Sequence, residues 1–160
     1  MNKGIIFLDT CVFIDCLESH RYNQIITHAV NSGYPITTSI TVLGETITQL
    51  MEFGTDIDRI IKFKENLDEW GVSFFFPNDV VRILCYYIGD ELTTRDVLYH
   101  QITDRTHLAY SIAYKADIFI TSDGALQEFE LPKKITDRGF YKPVTLPLIE
   151  FKRQFLLKKH

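Results

Sequence analysis

The chain of 160 residues has a formal net charge of −4, with 46% hydrophobic and 24% charged residues. These values are ordinary for a single globular domain, and they argue against a general, strongly basic nucleic-acid-binding protein. No apolar stretch approaches the roughly 20 residues of a membrane-spanning helix. Asp9 interrupts the first apolar run, so no signal peptide is indicated. We therefore expect one cytoplasmic domain covering residues 1–160, with no membrane span.

The three cysteines carry a separate indication about the compartment. Cys11, Cys16 and Cys85 are odd in number and lack the paired spacing of a zinc site. Such usage predicts a reducing compartment and small, buried hydrophobic side chains, and it argues against a disulfide framework.

Short apolar runs alternate with segments of helical periodicity along the chain. The predicted strands cover residues 5–8, 36–38, 72–76, 118–120 and 143–146, the last as an edge strand. The predicted helices cover residues 11–18, 21–32, 40–53, 56–69, 79–89 and 103–116, with a last helix after Pro147. A polar connection is predicted at 89–94 and a loop at 133–141. This alternation predicts an α/β protein with a parallel sheet of four to five strands and helices on both faces.

Helical periodicity also assigns inward faces to two of these helices. The helix at 40–53 is predicted to begin at the cap Ser39, to end at Gly54, and to bury Ile40, Leu43, Ile47, Leu50 and Met51. Glu45 lies nearly opposite that apolar stripe, so periodicity alone predicts a solvated glutamate. The helix at 56–69 is predicted to bury Ile57, Ile60, Ile61 and Leu67.

Residues 103 to 123 indicate a helix, a turn and a buried strand with one acid at each end. Thr103 is the predicted N-cap, and Asp104 falls in the first turn, where a negative charge suits the helix dipole. His107 follows one turn later; we expect it to cap the edge of the apolar face, with a role as general base as the alternative. The apolar face consists of Leu108, Ala109, Ile112, Ala113 and Ala116, and the strand ends in Thr121, Ser122 and Asp123.

Three acids are placed where a parallel sheet brings strand ends together. Asp9 ends the first strand, Asp123 ends the fourth, and Asp104 starts the helix that leads to the fourth. Ligands bind outside the carboxyl ends of the strands in such sheets. Clustered carboxylates repel each other, and an oxygen-only set suits Mg²⁺ or Mn²⁺, which can activate water and bind a phosphate. Because neutralisation relieves a repulsion, we then expect Asp9→Asn and Asp123→Asn to be at least as stable as wild type without metal. The alternatives are a simple helix-start charge for Asp104 and a turn residue for Asp123.

Four short segments resemble, in order, the motifs of the PIN domain, a family of metal-dependent nucleases. The first is Asp9-Thr10-Cys11, at the end of the first strand, and the second is Thr38-Ser39-Ile40 followed by Gly44-Glu45. The third is Asp104-Arg105-Thr106-His107-Leu108-Ala109, and the fourth is Phe119-Ile120-Thr121-Ser122-Asp123. The likeness covers nearly the whole chain.

This resemblance implies both a fold and a site. It implies a three-layer α/β/α sandwich and an acidic metal site of Asp9, Glu45, Asp104 and Asp123. Thr10, Thr121 and Ser122 would be supporting polar groups. The expected activity is Mg²⁺- or Mn²⁺-dependent endonucleolytic cleavage of single-stranded RNA. Many small members are VapC-type toxins held by an antitoxin, and we expect a homodimer. One departure is Cys11, which stands where the family usually has Asn and cannot supply an amide's hydrogen bonds.

Charge is distributed unevenly along the chain. Residues 131–160 contain eight Lys and Arg and two acids, a balance of +6, whereas the first 130 residues balance at −10. This asymmetry is compatible with a phosphate-facing edge, and we predict that Lys133, Lys134 and Lys142 bind substrate phosphates. The alternative is a solvated C-terminal helix.

Three other functions remain open from the residues. A phosphatase-like enzyme of the haloacid-dehalogenase type also ends its first strand in Asp, but it needs a second Asp two residues later, where this chain has Cys11. A response-regulator receiver normally has adjacent acids near its first strand, which are missing here. A catalytically silent binding module with the same fold is the third alternative.

Overall fold

A five-stranded parallel sheet forms the centre of the protein in this computed structural model, which describes residues 3–52, 57–90, 92 and 101–157. The strands are β1 (Ile6–Leu8), β2 (Ile36–Ser39), β3 (Ser73–Phe75), β4 (Ile118–Ile120) and β5 (Val144–Leu146). They lie in the order β3-β2-β1-β4-β5, and every neighbouring pair is parallel. The predicted helix end at Gly54 lies outside the described residues, as do Thr93 and Thr94 of the polar connection and Lys158 and Lys159 of the basic segment.

Nine helices are present within the described ranges, the last continuing into a π-helical turn. They are α1 (Thr10–Glu18), α2 (His20–Asn31), α3 (Ile40–Glu52), α4 (Ile57–Glu69), α5 (Asp79–Asp90), α6 (Ile102–Ala113), α7 (Gly124–Glu128), α8 (Lys133–Thr136), α9 (Leu148–Phe151) and the turn Lys152–Leu156. No helix in this part of the chain is long and apolar enough to cross a membrane.

The strand order places the helices on two faces of the sheet. The chain moves from β1 to β2 to β3 in one direction, then returns past β1 to β4 and β5 in the other. Because parallel crossovers are right-handed, α1 to α4 cover one face and α5 to α8 cover the opposite face. The predicted α/β fold with helices on both faces of a parallel sheet is therefore confirmed. The direction reverses between β1 and β4, which makes their carboxyl ends the topological switch point.

The central strands are formed by apolar side chains that helices cover on both faces. Ile6, Phe7 and Leu8 of β1 are fully buried, and they pair in register with Ile118, Phe119 and Ile120 of β4. Continuous apolar runs of this kind are typical of buried parallel strands. The prediction of β5 as an edge strand is also confirmed, and Val144 there is half exposed.

The inward faces predicted for α3 and α4 are right in part: Leu50 is buried, and Leu43, Ile60 and Leu67 are partly buried against the core. Val42, Thr46 and Leu50 are the buried residues of α3, whereas Ile40, Ile47 and Met51 are exposed. In α4 the buried residues are Phe63 and Asn66, and Ile57 is 68% exposed. Asn66 accepts a hydrogen bond from Asn23 of α2, so the core position is filled by a paired amide. The sequence pattern followed hydrophobicity, but the burial follows contacts with α1 and α2.

Two predicted boundaries also differ from the structure. Helix α6 begins at Ile102 after Gln101, so Thr103 is inside the helix and is not its N-cap. The predicted loop at 133–141 contains the short helix α8, which Pro132 precedes.

The prediction that Ser39 caps α3 is confirmed, because its Oγ accepts a hydrogen bond from the Val42 N–H at 3.1 Å. All three cysteines are free.

Candidate functional site

A cleft of about 250 Å³ opens at the carboxyl ends of β1 and β4. Its walls come from the start of α1, from α3, from the first turn of α6 and from the turn after β4. The residues that line it are Asp9, Thr10, Cys11, Glu45, Gln49, Asp104, Ser122 and Asp123. The structure therefore brings together the four acids selected from the sequence, along with Thr10 and Ser122.

Asp9 lies at the base of this cleft and is almost completely buried. Its Oδ1 accepts a hydrogen bond from the Thr10 N–H at 2.8 Å, and this bond caps α1. The same oxygen lies 3.0 Å from Nδ1 of His107. Its Oδ2 accepts a hydrogen bond from Thr121 Oγ1 at 2.6 Å. Burial favours the neutral acid, but the hydrogen bond and charge of His107, with Thr121 and Thr10, hold the pKa of Asp9 below its ordinary value. Asp9 is thus a fixed carboxylate.

His107 links two of the acids from beneath the cleft, where its side chain is fully buried. Because a carboxylate only accepts, the proton of the 3.0 Å contact with Asp9 belongs to Nδ1. Nε2 lies 3.4 Å from Glu45 Oε2, but the geometry is too poor for a hydrogen bond, and this buried nitrogen has none. Burial alone would lower the pKa of His107, but Asp9, Glu45 and Asp104 raise it. The sequence predicted only a packing position for His107 at the edge of the apolar face, and its contacts with Asp9 and Glu45 were missed.

Glu45 forms the α3 wall of the cleft and is only partly exposed, with 29% of its side chain accessible. Thr10 Oγ1 donates a hydrogen bond of 2.5 Å to Glu45 Oε2. The prediction of a solvated glutamate from periodicity is therefore wrong, because α3 turns its polar face toward the ends of β1 and α1. Gln49 lies one turn further along the same face and was missed from the sequence for the same reason.

Asp104 and Asp123 line the cleft from α6 and from the turn after β4. Burial, together with the nearby charges of Asp9 and Asp123, raises the pKa of Asp104 to about 6. Asp123 Oδ1 accepts a hydrogen bond from the Leu126 N–H at 3.1 Å, so it also caps α7. No Lys or Arg among the described residues pairs with any of the four acids. The cleft consequently concentrates negative charge without an internal Lys or Arg counter-charge.

Cys11 takes part in the hydrogen bonding around Asp9 despite lacking an amide. Its Sγ lies 3.7 Å from Asp9 Oδ2, and it accepts a hydrogen bond from the Ser122 N–H at 3.3 Å. Burial and the charge of Asp9 raise the pKa of the Cys11 thiol to about 11. The group is therefore a neutral thiol at pH 7, which orients its neighbours and is unsuited to act as a nucleophile.

The donor set of the cleft fits a divalent cation. One ligand atom each from Asp9, Glu45 and His107 lies within 4.8 Å of the other two. Asp104 and Asp123 face the same cavity and supply further oxygens. Carboxylate oxygens suit Mg²⁺ and Mn²⁺, and imidazole nitrogen adds affinity for transition metals. These residues could hold one such ion.

The three lysines predicted to bind substrate phosphates do not line the cleft. Lys133 pairs with Asp137 at 2.7 Å, and Lys134 pairs with Asp90 at 2.9 Å. Lys142 donates to the carbonyl oxygens of Gln127 and Phe129 at 2.7 and 2.6 Å. Burial lowers the pKa of Lys142, which is held by backbone acceptors. Their role in phosphate binding stays a prediction.

The fold and the cleft together define a parallel α/β domain with an acidic site at its topological switch point. The family model for the PIN domain matches residues 6–130, and the chain therefore belongs to the PIN domain family. PIN domains are generally nucleases. No curated protein matches the sequence.

One solved structure supports the same fold. It is a chain of VapBC2 from Rickettsia felis, in a crystal structure of that protein bound to a DNA fragment from their promoter. The TM-score is 0.63 at 15% sequence identity, and the match covers 74% of this chain and 88% of that chain. This likeness shows a shared fold.

Proposed function

We propose that the protein is an Mg²⁺- or Mn²⁺-dependent endoribonuclease that cleaves single-stranded RNA. The observation that carries this proposal is the convergence of Asp9, Glu45, Asp104 and Asp123 on one cleft that lacks a Lys or Arg partner among the described residues. Such a set of carboxylates is stable near neutral pH when a cation offsets its charge. The four acids would hold the metal. When bound, a divalent ion supplies Lewis acidity, which favours ionised water and offsets charge on a phosphodiester.

The chain's own residues contribute fixed positions. Asp9 is held by three hydrogen-bonding groups on two sides, so its carboxylate does not reorganise when a ligand arrives. Thr10 holds Oε2 of Glu45, and Oε1 makes no hydrogen bond among the described residues. Glu45 Oε1 can therefore accept a hydrogen bond from an attacking water and orient it. Thr121 and Ser122 support this arrangement through Asp9 and Cys11.

Hydrolysis then uses a water nucleophile, because neither Cys11 nor Ser122 of the cleft is activated for attack. The Cys11 thiol is neutral, and Ser122 has no base beside it among the described contacts. Water attacks phosphorus in line, the bond from phosphorus to the 3′ oxygen breaks, and that oxygen leaves with a proton. The products carry 5′-phosphate and 3′-hydroxyl ends. A 2′-hydroxyl is not needed as the nucleophile.

Purified protein and an unstructured RNA test this proposal. We expect cleavage with Mg²⁺ or Mn²⁺, none with EDTA, and a loss of several orders of magnitude in rate for Asp104→Asn. Mapping of product ends gives the decisive reading. Cyclic-phosphate ends, or cleavage that survives EDTA, would contradict the mechanism. Protein that folds and binds metal but cuts no RNA would favour the silent binding module.

A role as the toxin of a toxin–antitoxin pair is a second candidate. The fold shared with a chain of VapBC2 and the membership in the PIN domain family support it. We expect a cytoplasmic homodimer held by an antitoxin. Expression of the chain should then arrest growth, Asp104→Asn should abolish the arrest, and light scattering should give a dimer mass. Growth unaffected by active protein would leave RNA processing as the function.

A further inference from the structure

We infer that His107 Nε2 is a direct metal ligand, and that it makes the cleft select Mn²⁺ and related transition metals over Mg²⁺. The inference rests on the proposed metal site, and it concerns which ion that site takes. It starts from His107, which lies between two of the acids.

The two ring nitrogens of His107 have different surroundings. Nδ1 donates to Asp9 Oδ1 at 3.0 Å, which fixes the ring orientation. Nε2 is buried and makes no hydrogen bond, and a buried polar atom without a hydrogen bond is destabilising. The hydrogen bond that orients Asp9 gives Nδ1 a role, but it gives none to Nε2. Unsatisfied atoms of this kind are rare, and an ion is one of their usual causes.

The direction of Nε2 points to a cation. Nε2 lies 3.4 Å from Glu45 Oε2, a separation at which one ion can contact both atoms. A divalent cation bound there would replace the proton that Nε2 holds when the ring is charged. Donors from Asp9, Glu45 and His107 lie within 4.8 Å of one another. Two metal–ligand bonds of roughly 2.0–2.3 Å can span such separations.

A nitrogen donor changes which metal ion the site binds most tightly. Mg²⁺ favours oxygen ligands and keeps several waters, whereas imidazole suits transition-metal ions. Two carboxylates and one imidazole thus form a set that binds Mn²⁺ more tightly than Mg²⁺. Co²⁺ and Zn²⁺ should bind more tightly still, following the general order of affinities. The four carboxylates alone would not distinguish Mn²⁺ from Mg²⁺ in this way.

The experiment is electron spin echo spectroscopy of Mn²⁺ bound to the full chain. A nitrogen bonded directly to Mn²⁺ modulates the echo, and the modulation changes when histidine is labelled with ¹⁵N. We expect this signal in the wild-type protein, a reading that needs no variant. Mn²⁺ bound without nitrogen modulation would overturn the inference while leaving the proposed nuclease intact. Nitrogen modulation in a protein that cuts no RNA would support the inference and contradict the proposed nuclease.

Affinity measurements on His107→Asn provide the second reading. The Asn amide keeps an N–H donor near the position of Nδ1 and removes Nε2, so it separates ligation from the positioning of Asp9. We expect the Mn²⁺ affinity to fall at least about tenfold, with the Mg²⁺ affinity changed far less. His28→Asn, at an exposed histidine of α2, is the matched control and should change neither affinity. Equal losses for both ions would show a positioning role only and overturn the inference.

Discussion

Thr121 Oγ1 donates a 2.6 Å hydrogen bond to Asp9 Oδ2, joining two residues that are 112 positions apart in the sequence. The same hydroxyl accepts a hydrogen bond from the Asp123 N–H at 3.0 Å. One side chain at the end of β4 therefore orients the acid at the end of β1 and the acid after β4. The two strands are neighbours in the sheet, so this link closes the base of the cleft.

Removal of this hydroxyl should destabilise the protein. Thr121→Val keeps the shape of the side chain but leaves the buried Asp9 carboxylate short of a donor, which should cost about 1–3 kcal/mol in the free energy of unfolding. Thr121→Ser keeps the hydroxyl and is the matched control. Urea denaturation with EDTA present measures both. Equal stability of the valine and serine variants would show that the contact carries no net energy.

Metal binding should appear as added stability. If the acids form one site, Mn²⁺ at a hundredfold excess over its dissociation constant should raise the free energy of unfolding by about 2.7 kcal/mol. Asp9→Asn and Asp123→Asn should lose most of this gain. Calorimetric melting with and without Mn²⁺ gives the measurement. Retention of the full gain in both variants would contradict a shared site.

Without metal, neutralisation of different acids should have opposite effects. Neutralising Asp9 relieves its repulsion with Asp104, but it also removes the hydrogen bonds with His107 and Thr121 that hold the pKa of Asp9 below its ordinary value, and we expect this loss to be the larger effect. We predict that Asp9→Asn destabilises the metal-free protein and that Asp104→Asn stabilises it. Chemical denaturation in EDTA distinguishes the two signs, and a stabilised Asp9→Asn variant would contradict the assignment of the contacts.

The pH dependence of stability should follow from Asp104. Its pKa in the folded protein is raised to about 6, above its unfolded value, so protonation favours the folded state. The metal-free wild type should therefore lose stability as the pH rises through 6. Asp104→Asn should be more stable than wild type at pH 7.5, and the difference should shrink toward pH 5. Exposed Glu52→Gln serves as the control, and a difference that is constant with pH would refute the prediction.

The basic segment yields separate predictions for its lysines. Lys142→Met should lower the free energy of unfolding, because two partly buried backbone carbonyls lose their charged donor. Neutralising Lys133 and Lys134 together should instead flatten the salt dependence of RNA binding. The slope of log affinity against log salt should fall by about 1.4 if each lysine contacts one phosphate. An unchanged slope would leave the two lysines as surface groups.

The sequence predicted the sheet well because buried parallel strands leave a local signal. The runs Ile6–Leu8 and Ile118–Ile120 are apolar throughout, and turn residues follow both. Asp9 and Asp123 were therefore placed at strand ends correctly. Periodicity did not assign Glu45 to the site, because it identifies only the hydrophobic side of a helix. The resemblance to the PIN motifs placed it in the site.

His107 and Lys142 were misread because their environments are made by distant segments. His107 lies beside the apolar stripe of α6, and only the approach of β1 and α3 puts carboxylates against it. Lys142 appeared as one of many cations in a basic tail, but its acceptors are the carbonyls of Gln127 and Phe129. No local pattern carries such information.

The hydrogen bonding of Asp9 has a practical consequence for capturing a natural target. Asp9 caps α1 and anchors the buried network, so an inactive form made at this position would bring a folding defect with it. Asp104 makes no hydrogen bond through its side chain among the described contacts, and neutralising it relieves crowded charge. Asp104→Asn is thus the better bait for crosslinking cellular transcripts, because its catch would report recognition by an intact surface.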